Sequence, residues 1–467
     1  TAWASGNKSF LNAVNVFTDG TDCRWRFNGA ANAANLRYIV DNPRVENLWQ
    51  YLKRRYGYRT GIVTTASVTD ATPAVQGAYS GFRQTRLEIA KQFVSNPMLG
   101  GRPAFDVILG GGGDPFMASG RTDGRDLIQE LRSQGYSYVT SASELRSLNT
   151  GNVIGLFKAG ASPAPASNGI ATAVDANMNV AYDKLGLPRP ASEPEPNFGG
   201  YDDQPMLELM TEKASTLLSN SFSQAPFILM VEAASIDKQA HPNHSAGVIW
   251  DTIEFDRSIG VARRFAARRN DTLIVVTADH DQSLHIIGVS NVPDSNYFDR
   301  SRRENIQFTT PAGQQNFIVY GDSFSNARAG LPFINSSGGS AQNGGRTAMP
   351  GLAAPTAVAT DPAASTYSTY FGSTAYRRDP GTGYPLNVST ASAPIRRLAV
   401  GFRTGDHTGS SVPVTAEGPG AFLFTGYMDQ SDIFFKMATS LSGNTEDADK
   451  LLKMILESSS YPKTYGK

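Results

Sequence analysis

Several things are scarce in this chain, and each scarcity excludes something. There is one cysteine, Cys23, so no intrachain disulfide can form. The usual signature of a small exported domain is therefore missing, which leaves the compartment open without excluding export. Charge of one sign is absent as an excess: 42 Lys and Arg face 42 Asp and Glu, for a net charge of zero with histidine neutral. Nothing here favours nucleic acid or an anionic membrane as a partner. No apolar run approaches the roughly 18 residues of a membrane span. Histidine is rare enough to be informative, with only His241, His244, His280, His285 and His407. The chain opens at Thr1, with no Met and no readable signal peptide, and TAWASGNKSF reads like the middle of an element, as expected of a processed or truncated product.

What is present is a long chain of 467 residues, enough for a large core and one to three domains. Gly 45 and Pro 26 indicate a loop-rich surface without wholesale disorder. Short apolar runs read as strands at 60–64 (TGIVT), 105–109 (FDVIL), 153–157 (VIGLF), 227–231 (FILMV), 272–277 (TLIVVT) and 398–402. Between them, apolar residues recur at helical spacing over 45–55, 123–135, 205–220 and 247–269, and SASELRSL at 141–148 reads as a capped helix. A loop carrying Asp70 and Thr72 leads into a helix expected to carry Arg83 and Arg86. Alternating strand and helix predicts an α/β fold with a mainly parallel sheet. From about 286 to 400 Gly, Ser, Ala, Pro and Tyr dominate and the helix signals vanish. A structureless loop of that length does not suit a compact domain, so an inserted cap or small β-rich subdomain is expected there.

In open α/β sheets the chemistry sits beyond the carboxyl ends of the strands, and the polar residues of interest fall there. In PFILMVEAASIDKQAH (226–241) an apolar strand runs straight into Glu232, Asp237, Lys238 and His241. Charges buried at such a point need a cation, partners or water. Asp237 and His241 are four apart, so one helical turn would point both to the same side. Asp279 and His280 end the strand TLIVVT, and His407 follows the strand near 400. A mixture of His and Asp suits zinc in a water-accessible site, while the oxygens of Glu232 and Thr72 suit a harder ion such as magnesium. Singly, each has an ordinary explanation: a cap, a salt bridge, a helix start, or, for Arg83 and Lys238, a surface charge. Their concurrence at strand ends points to a site. His244 and His285 have no independent support.

The segments VEAASIDKQAH, TADH, GDHTG and SVTDATPA closely resemble the alkaline phosphatases, the bacterial type in particular. TAWASGNK is similar to the segment just downstream of that family's nucleophilic serine. The resemblance covers about 1–85, 105–150, 205–282 and 398–440. It implies a large, mainly parallel central sheet sandwiched by helices, with 1–285 and 398–467 forming the catalytic domain and 286–397 an inserted cap or crown. It implies two zinc ions and one magnesium: Asp237, His241 and His407 for the first zinc, Asp279 and His280 for the second, Thr72 and Glu232 for magnesium. By the same resemblance Asp70 holds magnesium-bound water, Lys238 reaches phosphate through water, and Arg83 clamps two phosphate oxygens. The Asp70 and Lys238 pairing matches the magnesium-using subtype rather than relatives with histidine at those places.

The implied reaction is phosphate monoester hydrolysis by double displacement, in which a serine takes the phosphoryl group and water then releases inorganic phosphate. Two zincs ~4 Å apart can hold both the attacking and the leaving oxygen, and arginine matches two phosphate oxygens in a bidentate clasp. The family's nucleophilic serine, and an aspartate that bridges the second zinc and magnesium on its first strand, have no counterpart in 1–467. The expectation is that this chain is a portion of a longer protein, completed by an N-terminal segment or a companion chain. A homodimer and a periplasmic or extracellular location are expected from the resemblance alone. The alternatives are a phosphodiesterase or sulfatase of the same superfamily, or a phosphate- or metal-binding protein without catalysis.

Overall fold

A computed structural model describes residues 1–10, 12–17, 42–158, 203–220, 225–240, 245–290, 303–310, 313–320 and 397–442. In chain order the elements begin with α1 (Ala2–Ser5), α2 (Leu48–Tyr56), β1 (Arg59–Ser67), α3 (Ala71–Ala74) and α4 (Arg86–Val94). Then come β2 (Val107–Gly111), α5 (Leu127–Ser133), β3 (Tyr136–Val139), α6 (Ala142–Ser147) and β4 (Asn152–Leu156). The next run is α7 (Leu207–Ser219), β5 (Phe227–Glu232), α8 (Ser235–Ala240) and α9 (Ser245–Ala266). The remainder is β6 (Ile274–Thr277), β7 (Asp281–Ser290), β8 (Arg303–Thr310), β9 (Gly313–Tyr320), β10 (Arg397–Thr408), β11 (Val414–Glu417) and α10 (Gln430–Ser442).

Five strands form one sheet in the order β3-β4-β2-β1-β5, with every neighbouring pair parallel. β2 is buried at all five positions and β1 at all but its first, so these two make the sheet's centre. Their apolar runs look continuous because both faces are covered. Alternation then divides them. Ile62, Ile108 and Ile154 pack on one face with Leu52, Phe93, Phe105 and Phe434, while Val63, Val107, Leu109 and Val153 pack on the other with Leu207, Met210, Leu217 and Leu218 of α7. The mainly parallel sheet flanked by helices agrees with the sequence reading. β5 ends this sheet among the described residues and is partly exposed along its length.

Three antiparallel pairs accompany it: β10 with β7, β11 with β6, and β8 with β9. The last pair lies inside the expected 286–397 insertion, most of which is outside the described residues.

Local chemistry sets the helix starts. Asn47 caps α2 in a reciprocal arrangement with Gln50, Asp126 accepts from Gln129 N, and Ser141 accepts from Glu144 N. The helix expected from 123 therefore begins only after Asp126. Beyond β2 the glycine run lets the chain pass close to the end of β1: Gly112 has φ +78°, and a Cβ there would lie 2.1 Å from Ser67 Oγ. At the opposite end of the sheet Asp106 accepts from Lys53 Nζ at 2.7 Å and Thr60 N at 2.8 Å, which ties α2 to the starts of β1 and β2.

Candidate metal and phosphate site

β1 and β5 run side by side, and β5 ends at Glu232 opposite Thr64, three residues before β1 ends at Ser67. Each strand then turns into a short helix, with charge at the cap of the first and within the second. After β1, Asp70 caps α3 by accepting from Ala71 N at 2.8 Å, and Thr72 lies within the helix. After β5, α8 carries Asp237 and Lys238, and its first residue donates from Ser235 N to Thr65 Oγ1 at 3.0 Å. That bond pins the second turn to the first strand.

Arg83 departs from expectation. It lies between α3 and α4 rather than on a helix, held by a hydrogen bond from its backbone N to Asn12 O at 2.7 Å. Its Nη2 donates to Asp70 Oδ1 at 2.5 Å, and Lys238 Nζ stands 3.3 Å from Asp70 Oδ2. Arg86 Nη2 is 4.0 Å from the same Oδ1. Burial pushes the Asp70 carboxyl up, but Lys238, then Arg83 and Arg86, together hold it well below the usual carboxylate range. The partners respond in kind: Asp70 raises both Lys238 and Arg83. Asp70 is thus a buried anion among three cations, and the surplus of positive charge suits an incoming anion.

Glu232 is pushed up to about 7, chiefly by burial, with hydrogen bonds from Thr64 and Thr72 opposing the shift. Its carboxylate and these two hydroxyls form an oxygen-rich corner.

Asp237, His280 and His407 form a second group, with one donor atom from each lying within 4.8 Å of the others. His407 Nε2 is 3.1 Å from Asp237 Oδ1, and His280 Nε2 is 3.7 Å from that oxygen and 3.3 Å from Asp279 Oδ2. The two imidazoles stack with centroids 3.4 Å apart. Burial lowers the His280 pKa, with Asp279 opposing and His407 reinforcing. The neutral ring is the form that ligates metal. His280 therefore joins Asp237 and His407 in one cluster, across the division into two ions that the sequence suggested. His407 does not follow a strand but lies within β10, opposite Gln282 of β7, so an antiparallel pair delivers it. His241 and His244 lie outside the described residues.

Three participants were not assigned roles from sequence. Gln282 Nε2 donates to Asp237 Oδ1 at 2.8 Å, and its Oε1 is buried without a partner. Its signal was its place two residues after His280, at the start of β7. Thr64, the last residue of TGIVT, donates to Glu232 Oε2 at 2.5 Å. Arg86, three residues past Arg83, stands over Asp70.

A carboxylate and two imidazoles converging on one point make a donor set that zinc accepts. The Glu232 corner offers the oxygens that magnesium accepts. Between them, cations surround Asp70.

The sequence profile of the alkaline phosphatase family matches residues 1–442. The chain is 30% identical over 316 residues to an alkaline phosphatase of Escherichia coli (strain K12), covering 62% of this chain and 58% of that protein. It is 26% identical over 452 residues to alkaline phosphatase 3 of Bacillus subtilis (strain 168), covering 96% of this chain and 77% of the relative. The chain thus spans less than two thirds of the length of the first of these. Its fold is similar to a crystal structure of Thermus thermophilus alkaline phosphatase, with a TM-score of 0.57 at 21% identity over 97% of this chain and 82% of that one. With that profile matched across most of its length, the chain belongs to the alkaline phosphatase family.

Proposed function

We propose that this protein hydrolyses phosphate monoesters through a phosphoserine intermediate, using two zinc ions and one magnesium. The observation that carries this reading is the adjacency of two features. Asp70, Arg83 and Lys238 form a cationic cradle, and Lys238 also lies 3.3 Å from Asp237 of the His-rich cluster. A dianionic phosphoryl group needs both kinds of partner at once.

In this reading Asp237 and His407, completed by His241, hold the first zinc, while Asp279 and His280 hold the second. Glu232 and Thr72 hold magnesium. The bound ions supply Lewis acidity and offset the charge that develops on the attacking and leaving oxygens. The chain's own residues do the rest. Arg83 clasps two phosphate oxygens in a fork. Lys238 adds a second positive charge from the Asp237 side. Asp70 orients both cations and keeps them in place while the site is empty of anion. Gln282 holds Asp237 in one orientation, which a ligating carboxylate needs. The nucleophilic serine comes from polypeptide outside 1–467, as an N-terminal segment or a companion chain.

The leading alternative is hydrolysis of diesters or sulfate esters. A two-oxygen clasp by Arg83 together with one oxygen held by the metals would use all three free oxygens of a monoester, whereas a diester has only two, which favours monoesters. Turnover of 4-nitrophenyl phosphate against bis(4-nitrophenyl) phosphate by the complete, metal-loaded protein separates them. Faster cleavage of the diester would overturn the assignment, and absence of turnover with tight phosphate binding would favour a binding protein. We further propose a homodimer in the periplasm or outside the cell, with 286–397 as an inserted cap; gel filtration and cell fractionation test the first two.

A further inference from the structure

One largely covered guanidinium has no use in the scheme above. Arg86 is the first residue of α4, where a cation opposes the positive end of the helix dipole. Helix stability therefore does not explain it. Its side chain is only 11% exposed, and its Nε is buried with no hydrogen-bond partner. Its Nη2 is 4.0 Å from Asp70 Oδ1, too far for a hydrogen bond. That same oxygen already accepts from Arg83 Nη2 at 2.5 Å and from Ala71 N at 2.8 Å. Two arginines thus face one carboxylate oxygen, and only one of them is bonded to it. They differ in access: the Arg83 side chain is 31% exposed and can turn toward solvent, whereas Arg86 cannot.

We propose that Arg86 is a positioning residue that takes over Asp70 Oδ1 when Arg83 turns to the phosphate. The inference rests on the reading of Arg83 as the phosphate clasp. Before an anion arrives, Asp70 holds Arg83 ready. To clasp two phosphate oxygens Arg83 must loosen its hold on Oδ1. Oδ1 would then keep only the neutral hydrogen bond from Ala71 N at 2.8 Å; a buried carboxylate that gives up a charged partner carries a penalty, and that penalty would hold Arg83 back. Arg86 removes the penalty by closing ~1.2 Å to ordinary hydrogen-bond distance. Lys238 stays on Oδ2 throughout, at 3.3 Å in the resting arrangement. The exchange leaves the number of charges on Asp70 unchanged and frees one guanidinium for the ligand. Charge on Arg86 also helps to depress the Asp70 carboxyl, in line with its facing that group.

A double-mutant cycle tests this with inorganic phosphate as the probe, on the complete zinc- and magnesium-loaded protein. Phosphate affinity is measured by calorimetry for the wild type, Arg86→Met, Arg83→Ala and the double variant. Arg86→Met is expected to weaken phosphate about tenfold when Arg83 is present and less than about twofold when Arg83 is already alanine. Arg86→Lys, which keeps a cation in reach of Asp70, is expected to recover most of the loss and serves as the probe if Arg86→Met does not fold. Metal content is expected to be equal in all variants. Equal weakening in both Arg83 backgrounds would overturn the exchange, since Arg86 would then act without Arg83. So would loss of metal in Arg86→Met or Arg86→Lys, or no weakening at all in either. A wild-type protein that binds no phosphate would sink the phosphatase reading and the exchange together.

Discussion

Thr64 Oγ1 donates a 2.5 Å hydrogen bond to Glu232 Oε2 across 168 positions of sequence. The bond exists because β1 and β5 are parallel neighbours in register, with Thr64 of β1 paired to Glu232, the last residue of β5. It gives a buried carboxylate one partner but not enough of them, and burial still lifts Glu232 to about 7.

That shift has a consequence for the metal-free protein. Glu232 keeps its proton in the folded state up to about 7, whereas its ordinary value is 4.5. Between these values the folded state binds more protons than the unfolded one, so stability falls as pH rises from 4.5 to 7 and then levels off. Urea unfolding of chelator-treated protein is expected to show a decline on the order of 2 kcal/mol across that window. Glu232→Gln removes this decline, and an unchanged slope in the variant would count against the buried carboxylate.

Removing a donor from the His-rich cluster is expected to remove metal and activity together. Asp237→Ala, Asp279→Ala and His407→Ala each take away a group that stands within 3.7 Å of another candidate ligand. Elemental analysis after dialysis is the check. Full zinc content in any of the three would refute its place as a ligand.

Gln282→Ala probes orientation rather than ligation. Its amide bonds Asp237 at 2.8 Å without belonging to the three-residue donor group. The expected outcome is a zinc affinity lower by about 10–100-fold, with zinc still bound at saturating concentration. Competition with a metal indicator measures it, and an unaltered affinity would show that Asp237 needs no such support.

Arg83→Ala separates substrate binding from metal binding. Zinc and magnesium content should match the wild type, while the inhibition constant for phosphate rises by about 30-fold or more. An unaltered constant would mean that Arg83 does not clasp the anion.

Stability has its own test away from the site. Glu46 is completely buried and is held by Arg54 through two hydrogen bonds of 2.8 and 3.0 Å. Arg54→Ala removes both of these bonds from a fully buried carboxylate and is expected to cost about 3 kcal/mol. A denaturation midpoint unchanged by Arg54→Ala would show that Glu46 is adequately served by its remaining partners.

Much of the fold was legible because it is written in local pattern. Apolar runs such as TGIVT and FILMV mark buried strands whatever they pack against, and Ser141 with Glu144 marks a helix start from within four residues. The errors came where local pattern has a rival. Arg83 falls in a stretch with helical composition, but its backbone bonds to Asn12 in the first turns of the chain and the helix begins only at Arg86. His407 was expected past a strand, yet pairing with β7 extends β10 through it. Pairing is decided by the partner, which composition does not reveal.

The site divides along the same line. Residue types and short spacings marked, without any structure, Asp237, His280, Glu232 and Asp70 as polar groups at or just beyond strands, because strand and turn signals are properties of neighbours in sequence. Only the tertiary structure decided which of them meet. It set two guanidiniums against one oxygen of Asp70, brought Gln282 onto Asp237 and put Thr64 beneath Glu232. Those contacts follow from sheet order and register, and sheet order is settled by burying both faces of the whole sheet at once rather than by any segment of the chain alone.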